Sequence, residues 1–432
     1  MEPYRFTREI VKREYLKEDS FFLVDVGASG GIDFRWLVFG NYLKAVGFDP
    51  LVKECERLNK ENNHPNIKYV AAYVGCKNKK FPENKNDFFK RSSAFYANKI
   101  LNLNSWDRYN SFQELVFSKI HMSLSEYFKD NNMELDFLKI DTDGHEIEVL
   151  YGAEQLFEKG QFLGVYVESP FHGSTHPLSN TFANIDIFLR QRGFSLFDIE
   201  VYRYSRKDLP GKFLIEIPAQ TDIGQVMWAN VLYLRDLGDI KYMEKYPNYQ
   251  ITLEKILKLT CIFEIFNLND CAIELINIYN ERLKEKYKDI EQLKGLLFPP
   301  IDGKPARLKD YYDRFNKYVF FVKNYLEKQF ERHKQCLKKY NKVAFFGAGG
   351  RLRNNITNII RFLNDSIKII IFDNDKNKWG YKIHNIEIVS PDKIIKFKPE
   401  CIVITSTFAN EIFFQLMDIQ EKYNLKFDVV FF

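Results

Sequence analysis

Residues 21–31 read FFLVDVGASGG, and this stretch decides how the first half of the chain folds. Four apolar residues lead to Asp25, and glycines follow at positions 27, 30 and 31. An apolar run of this length predicts a buried strand, and the glycines predict a tight loop, because glycine allows sharp turns and close approach of a ligand to the backbone. A strand that ends in such a loop is typical of a parallel sheet that binds a nucleotide-like ligand.

The next apolar run, residues 43–49, ends in Asp49 and is followed by Pro50. A carboxylate at the tip of the second strand can accept the hydroxyl groups of a ribose. The glycine spacing differs from the dinucleotide fingerprint G-x-G-x-x-G. This difference favours S-adenosylmethionine over NAD as the ligand. A third strand at residues 67–74 carries small residues against which a ligand ring can lie. We therefore predict these cofactor-binding residues: Asp25, Gly27, Ala28, Ser29, Gly30, Asp49, Pro50, Ala71 and Ala72.

Composition limits the classes of function. The 432 residues carry a net charge of +5, with 63 basic and 58 acidic side chains interspersed, so we expect no nucleic-acid partner. The length predicts two or three domains. Six cysteines without a CxxC pair indicate thiols in a reducing compartment. No apolar leader and no run of membrane-spanning length is present, so we expect a cytoplasmic protein without a membrane span.

Residues 135–146 form the second informative stretch, LDFLKIDTDGHE. An apolar strand delivers Asp141 to its tip, and Asp143 and Gly144 turn the chain into a helix over residues 146–156. The next predicted strand ends at Glu168, and a loop containing His172 follows it. Because the tips of neighbouring parallel strands lie at one edge of a sheet, these side chains are candidates for a reacting site.

Two kinds of chemistry suit these residues. His145 and His172 are candidate general bases, because a histidine titrates near neutral pH. Asp141, Asp143 and Glu168 are alternatively candidate ligands of a hard divalent ion such as Mg²⁺. A structural role remains open as well, because acids near a helix N-terminus stabilise the helix by themselves.

Taken together, these motifs resemble the FkbM family of S-adenosylmethionine-dependent methyltransferases over roughly residues 1–240. The matching segments are residues 25–31, 47–50, 92–93, 138–153 and 167–168. The resemblance implies an O-methyltransferase of sugars or natural products, of a type found in bacterial surface-glycan pathways. It implies that Asp25 and Gly27 hold the methionine part of the cofactor, that Asp49 holds the ribose, and that Asp141 lies beside the sulfonium. The predicted catalytic residues are Asp141, His145, Glu168 and His172.

The remainder of the chain predicts two further parts. Residues 241–340 indicate a helical connector with a linker near 298–305, and residues 341–432 begin again with a strand that runs into glycines. A nucleotide at Gly347, Gly349 and Asp373 is one hypothesis for this last domain. The position of the third fingerprint glycine holds Leu352, which weakens that hypothesis. A degenerate domain that packs on the first domain or pairs two chains is the other.

The predicted fold class is α/β, with a Rossmann-like methyltransferase domain at residues 1–240, the helical connector, and a second, smaller Rossmann-like domain. The predicted function is methyl transfer from S-adenosylmethionine to a hydroxyl of a sugar or a surface-glycan precursor. The alternatives are a nucleotide-sugar-binding or NAD-dependent oxidoreductase activity at the C-terminal glycine loop, and a non-catalytic partner in glycan assembly. Association into a homo-oligomer also stays open.

Overall fold

The computed structural model describes residues 3–82, 91–93, 116–129, 134–159, 162–214, 220–361, 363 and 367–431. Contacts between residues divide the chain into two compact units, Met1–Arg307 and Leu308–Phe432. Each unit is built on its own sheet, so each is described by itself.

The first unit contains a seven-stranded sheet of order β3-β2-β1-β6-β7-β9-β8 and a separate two-stranded ladder, β4-β5. The strands are β1 (Phe21–Val26), β2 (Leu43–Asp49), β3 (Ile67–Ala71), β4 (Tyr73–Val74), β5 (His121–Met122), β6 (Phe137–Ile140), β7 (Gly164–Pro170), β8 (Ser195–Tyr204) and β9 (Gln225–Leu234). Strands β3, β2, β1, β6 and β7 are parallel, whereas β9 is antiparallel to both β7 and β8. The predicted α/β fold is therefore confirmed.

Helices pack on this sheet and leave every residue of β1 buried. Burial on both faces explains why β1 is a continuous apolar run rather than an alternating one. After the first glycine loop the chain forms a 3₁₀ helix, Phe34–Tyr42, which contains Gly40 at φ +51°. The other helices are Arg5–Lys12, Val52–Glu61, Leu124–Tyr127, Glu146–Gly152, Glu154–Lys159, Phe182–Arg190, Tyr242–Lys245, Leu253–Ile265, Asn269–Ile278, Asn280–Lys286, Ile290–Lys294 and the 3₁₀ turn Gly295–Leu297.

The helix Leu253–Ile265 belongs to the core of the first unit. All of its residues from Lys255 onward are buried, and its apolar side chains share a core with those of β1. The buried ammonium of Lys258 lies 2.9 Å from a carboxylate oxygen of Asp136, just before β6. A helix that is buried on every side is part of a core. The contacts thus place the break between the units at Arg307 and divide the predicted connector 241–340 there.

The second unit has a six-stranded sheet of order β12-β13-β11-β10-β14-β15. Its strands are β10 (Lys342–Phe346), β11 (Lys368–Phe372), β12 (Lys382–Ile383), β13 (Ile386–Val389), β14 (Cys401–Ile404) and β15 (Asp428–Phe431). All neighbouring pairs are parallel except β12-β13. The helices are Leu308–Leu337, Gly350–Ile360, Ile394–Phe397 and Ala409–Tyr423, with 3₁₀ turns Lys376–Lys378 and Pro391–Lys393. A second α/β domain with its own sheet is therefore present, as predicted.

Candidate active site

The first glycine loop lies directly against the end of β6. Gly27 has φ +85°, and a Cβ atom on it would lie 1.7 Å from the carbonyl oxygen of Asp141. The backbone N–H of Asp141 donates to the carbonyl of Val26 at 2.9 Å, and that of Gly27 donates to Phe48 at 2.9 Å. Only glycine satisfies both the positive φ and the close approach. The loop therefore brings the ends of β1, β2 and β6 together.

Lys139 on β6 ties this junction together electrostatically. Its ammonium donates to the carbonyl oxygen of Gly27 at 3.1 Å and lies 3.6 Å from a carboxylate oxygen of Asp141. It also pairs with Asp25 Oδ1 at 3.0 Å, although the angle is outside hydrogen-bond geometry. Burial lowers the pKa of Lys139, but the Asp25 and Asp141 carboxylates outweigh it and leave the pKa raised. Lys139 was not predicted from the sequence, although a lysine inside an apolar strand was an available signal.

Asp25 is buried at the carboxyl end of β1. Burial raises the pKa of Asp25 to about 6, the nearby Asp141 charge adds to the rise, and Lys139 opposes it. A carboxylate held in this way is stabilised in its charged form by any further cation. The site around Asp25 is accordingly suited to a positively charged ligand.

Asp49 ends β2 with a buried carboxylate that accepts hydrogen bonds from backbone. The N–H of Leu51 donates to Asp49 Oδ1 at 2.8 Å, and the backbone of Ser29 also bonds to this carboxylate. Burial raises the pKa of Asp49, and these backbone hydrogen bonds partly offset the rise. No ion pair to Asp49 occurs among the described residues, so its acceptor capacity is directed at neutral donors.

The other predicted cofactor residues border these two aspartates. Ala28 donates its N–H to Phe48 O at 3.0 Å, and Gly30, at φ +81°, donates its N–H to Glu54 Oε1 at 3.0 Å. Glu54, from the helix Val52–Glu61, thus fixes the glycine loop through this hydrogen bond. It was not predicted from the sequence, because nothing in its local pattern distinguishes it from a solvated helix acid.

The tips of β2 and β3 are joined through main-chain and hydroxyl contacts. Ala72 donates its N–H to Asp49 O at 3.0 Å. Ser118 donates its N–H to Pro50 O at 2.7 Å and its hydroxyl to Ala71 O at 2.8 Å. The structure thus brings Pro50, Ala71 and Ala72 to the edge of the sheet that also carries Asp49.

Glu146 organises the turn between β6 and the helix Glu146–Gly152. This fully buried carboxylate accepts hydrogen bonds from the N–H of Thr142 (3.0 Å), the hydroxyl of Thr142 (2.9 Å) and the N–H of Gly144 (3.0 Å). The side-chain amide of Asn180 bonds to its other oxygen. Asp143 sits at φ +53° in this turn, and desolvation followed by the Asp141 and Glu146 charges raises the pKa of Asp143. Glu146 therefore holds the turn that presents Asp141 and Asp143.

The two predicted histidine bases are both engaged by other groups. His145 is exposed, and its Nδ1 lies 2.9 Å from Glu148 Oε1. The hydrogen bond to Glu148 raises the pKa of His145. His172 Nε2 lies 2.7 Å from the carbonyl oxygen of Val226, to which it donates. These contacts favour positioning roles for both rings.

Glu168 on β7 has the properties that a general base requires. Its carboxylate accepts no hydrogen bond and forms no ion pair within the described residues. Burial raises the pKa of Glu168 to about 8, with further contributions from Asp141, Glu146 and Asp143. A base is most effective when its pKa lies near the working pH. Glu168 is thus the strongest candidate for proton acceptance at this sheet edge.

The sheet continues from Glu168 as a face of polar and aromatic side chains. Glu168 is paired across the ladder with Asn230, and Asn230 with Glu200. In the adjacent row the rings of Tyr202 and Trp228 stack at 3.8 Å, and Asn230 Nδ2 donates to the Tyr202 hydroxyl at 3.1 Å. These residues were not predicted, because they are assembled by the antiparallel register of β7, β9 and β8 and not by any local motif.

The acids of this edge do not form a metal-binding cluster. In the described part of the chain, no group of three or more histidine, cysteine, aspartate or glutamate side chains is arranged to hold a metal ion, and Asp141, Asp143 and Glu168 do not form one. No helix among the described residues combines the length and the apolar character needed to cross a membrane.

The ends of β1, β2 and β6 and the acids around them lie at one edge of a Rossmann-like sheet. Residues 25–196 match the family model of the methyltransferase FkbM domain. The chain therefore contains an S-adenosylmethionine-dependent methyltransferase domain of the FkbM type. Residues 339–425 match a second family model, described as C2185-like, N-terminal. No curated protein matches the chain in sequence.

Solved structures give only distant likenesses. Magnesium protoporphyrin IX methyltransferase (ChlM) from Synechocystis PCC 6803, with bound SAM, is 10% identical, covers 54% of this chain and 79% of its own, and has a TM-score of 0.23. The N-terminal domain of EvdMO1 with SAH bound is 12% identical, covers 53% of this chain and 80% of its own, and has a TM-score of 0.26. UDP-D-quinovosamine 4-dehydrogenase from Vibrio fischeri is 19% identical, covers 21% of this chain and 76% of its own, and has a TM-score of 0.17. TM-scores this low support no conclusion about this chain.

Proposed function

We propose that the first unit transfers a methyl group from S-adenosylmethionine to a hydroxyl oxygen of a sugar or of a surface-glycan precursor. The observation that carries this proposal is the carboxylate of Glu168, which has no hydrogen-bond or ion-pair partner within the described residues. Glu168 lies on β7, two residues before the strand ends, beside the Asp141 junction. A hydroxyl acceptor must lose a proton as the new carbon–oxygen bond forms, and Glu168 is the group available to accept it.

The residues around the first glycine loop fit S-adenosylmethionine. A Cβ atom on Gly30 would meet no described atom within 4 Å, so the loop is open on that side. The acids Asp25, Asp141 and Glu168 lie around the ammonium of Lys139, and a cationic ligand would stabilise their charged forms. The buried carboxylate of Asp49 suits a ribose diol. Asp25, Gly27, Ser29 and Asp49 would hold the cofactor. When bound, it supplies a methyl group that is already activated for displacement.

The chain's own residues then have two tasks, to align the acceptor and to remove its proton. Lys139 fixes the glycine loop and Asp141 relative to β1, and Glu146 fixes the turn after Asp141. Glu168 accepts the proton from the acceptor hydroxyl at its carboxylate. Burial disfavours the charged form of Glu168, which is the form that accepts a proton. A cation in the adjacent site would stabilise this charged form.

The face beside Glu168 supports a sugar as the acceptor. Glu168, Asn230 and Glu200 present hydrogen-bonding groups in one row, and the stacked rings of Tyr202 and Trp228 lie in the next row. A sugar ring offers hydroxyls on its rim and an apolar face, so it matches polar groups next to aromatic rings. We also propose a cytoplasmic location, which suits the finding that Cys55, Cys76, Cys261, Cys271 and Cys401 form no disulfide among the described residues.

The test is to incubate the full-length protein with methyl-labelled S-adenosylmethionine and separate sets of free sugars, nucleotide sugars and primary amines. We expect the mass of one methyl group to be added to a sugar, and none to be added by Glu168→Gln. Transfer to amines alone would contradict the proposal. A chelator arm addresses the metal alternative at Asp141, Asp143 and Glu168: activity that disappears with chelator and returns with Mg²⁺ would favour it.

A further inference from the structure

A cavity of about 600 Å³ opens in the second unit, and none of its lining residues belongs to the proposed methyl-transfer site. Its walls come from the carboxyl ends of β10, β11 and β14, which are neighbours in the sheet with β10 in the centre. Along the chain these are the first, second and fourth strands of the parallel set, so the strand order changes direction between β10 and β14. Open α/β sheets bind ligands at such a switch point.

One wall of the cavity is made of backbone that suits an anion. Gly347 has φ +110°, and a Cβ atom on it would lie 2.9 Å from the Cβ of Ser406, so this position requires glycine. Gly349 and Gly350 have open space where a Cβ would be. Gly349 is the N-cap of the eleven-residue helix Gly350–Ile360, and within the described residues no side chain caps it. Uncapped N–H groups at the positive end of a helix attract phosphate.

A lysine lies beside this wall. Asp373 Oδ2 accepts a hydrogen bond from the N–H of Ala348 at 2.6 Å and another from Lys378 Nζ at 3.2 Å. Two donors that share one oxygen are close to each other, so the ammonium lies next to the glycine loop. The carboxylate of Asp373 is thus occupied in tying β11 to the loop.

The cavity lining also carries groups that suit hydroxyls and a ring. The Asp375 side chain is 44% exposed, and its carboxylate lies 3.7 Å from the ammonium of Lys378. Phe408 exposes its aromatic ring. The carboxylates of Asp375 and Glu411 can accept hydrogen bonds from the hydroxyl groups of a diol. The lining therefore combines backbone donors for an anion with acceptors for hydroxyls.

We infer that this cavity binds a nucleotide, with its diphosphate on residues 347–350 and Lys378, its ribose hydroxyls on Asp375 and its base near Phe408. Two sources share this chemistry, namely a nucleoside diphosphate group of a nucleotide sugar and a dinucleotide such as NAD. This site is independent of the proposed methyl transfer.

The experiment is calorimetry on the full-length protein with ADP, UDP, NAD⁺ and inorganic phosphate as separate probes. We expect at least one of the three nucleotides to bind, with phosphate alone much weaker. Gly349→Asp places a carboxylate where the diphosphate would lie and should weaken binding by about tenfold or more, whereas the isosteric, uncharged Gly349→Asn should weaken it less. The backbone at Gly349, φ −89°, accepts a side chain, and aspartate is a good N-cap, so the melting temperature should not fall.

A second arm tests the assignment of the ribose to Asp375. The nucleotide that binds should bind more tightly than its dideoxyribose analogue, and Asp375→Ala should remove that difference. Binding that is equal in Gly349→Asp and Gly349→Asn would overturn the inference, as would failure of all three nucleotides to bind, or phosphate binding as tight as nucleotide binding. Binding that is lost in Asp49→Ala would place the nucleotide in the first unit and would overturn it as well.

Discussion

The two glycine loops, residues 27–31 and 347–350, start from the same local pattern and end in different electrostatic environments. Each comes directly after a buried parallel strand, and each faces an aspartate at the end of the next strand, Asp49 or Asp373. Asp373 is paired with the ammonium of Lys378, whereas Asp49 accepts only backbone hydrogen bonds among the described residues. The aspartate that ends the second strand is therefore ion-paired at the second loop, and within the described residues it is not ion-paired at the first.

The helix after each loop widens this difference. The first loop leads to a 3₁₀ helix and lies among Asp25, Asp141 and Glu168. The second leads straight into the helix Gly350–Ile360, whose positive end faces the cavity. A strand–glycine–aspartate pattern therefore specifies where a ligand binds, and the neighbouring charges decide whether a cation or an anion is preferred.

The largest expected effect comes from truncating the chain between the two loops, either after residue 307 or after residue 240. Residues 1–307 should fold and bind S-adenosylmethionine without the second loop, whereas residues 1–240 should not fold. Ending at 240 removes the buried helix Leu253–Ile265 and leaves the buried Asp136 without Lys258. Circular dichroism and calorimetry on both fragments check this. A folded, binding-competent 1–240 fragment would show that the helix is not part of the core.

Glu168→Gln tests whether the acids at the first loop perform chemistry. We expect turnover to fall by about 10²–10⁴-fold with little change in cofactor affinity, because the substitution removes the base and keeps the shape. In the active enzyme, kcat/KM should rise with pH as Glu168, with a pKa of about 8, loses its proton, since only the charged form accepts a proton. Glu200→Gln, two strands away in the same row, is the matched control and should act more weakly. A pH profile unchanged by Glu168→Gln would exclude this base.

Substitutions at paired glycines compare the packing of the two loops. Gly27→Ala should destabilise the first unit by about 3 kcal/mol or more, since its Cβ would meet the Asp141 carbonyl at 1.7 Å. Gly30→Ala, with open space and only a positive φ, should cost about 1–2 kcal/mol. Gly347→Ala should destabilise the second unit alone, because its Cβ would meet Ser406. Thermal unfolding followed by calorimetry measures all three, and equal losses for Gly27→Ala and Gly30→Ala would refute the contact.

Asp49→Ala and Asp373→Ala compare the two strand-tip aspartates. Asp49→Ala should weaken S-adenosylmethionine binding by roughly tenfold or more, because hydrogen bonds to a charged acceptor contribute about 1.5–3 kcal/mol. Asp373→Ala should leave that affinity unchanged, because Asp373 belongs to the other unit. Titration calorimetry measures both affinities for S-adenosylmethionine. An unchanged affinity in Asp49→Ala would show that Asp49 does not bind the ribose.

The smallest effect is expected at His145. Its ring is exposed and is held by Glu148, so His145→Ala should reduce turnover by less than the factor of about 10²–10⁴ that a base contributes. His145→Gln controls for the loss of the side chain. A large loss that is partly rescued at high pH would restore His145 as the base.

The sequence by itself determined the α/β fold, the strand-to-loop positions of Gly27 and Asp49, and the acids at residues 141–146. Such features depend on local rules, since apolar runs form buried strands and glycine alone tolerates these loops. It also marked Glu168 as a strand-tip acid, but it named His145 and His172 as the candidate general bases and Glu168 as a candidate metal ligand.

Only the tertiary structure shows which residues that are far apart in the sequence contact one another. Lys139 contacts Gly27 across 112 residues, Lys258 joins Asp136 across 122 residues, and the row of Glu168, Asn230 and Glu200 depends on an antiparallel strand inserted between two others. Burial and neighbouring charge set the pKa of Glu168, and neither is a property of residues adjacent in the chain. The position of the reacting groups is thus local information, whereas their charge state is produced by the fold.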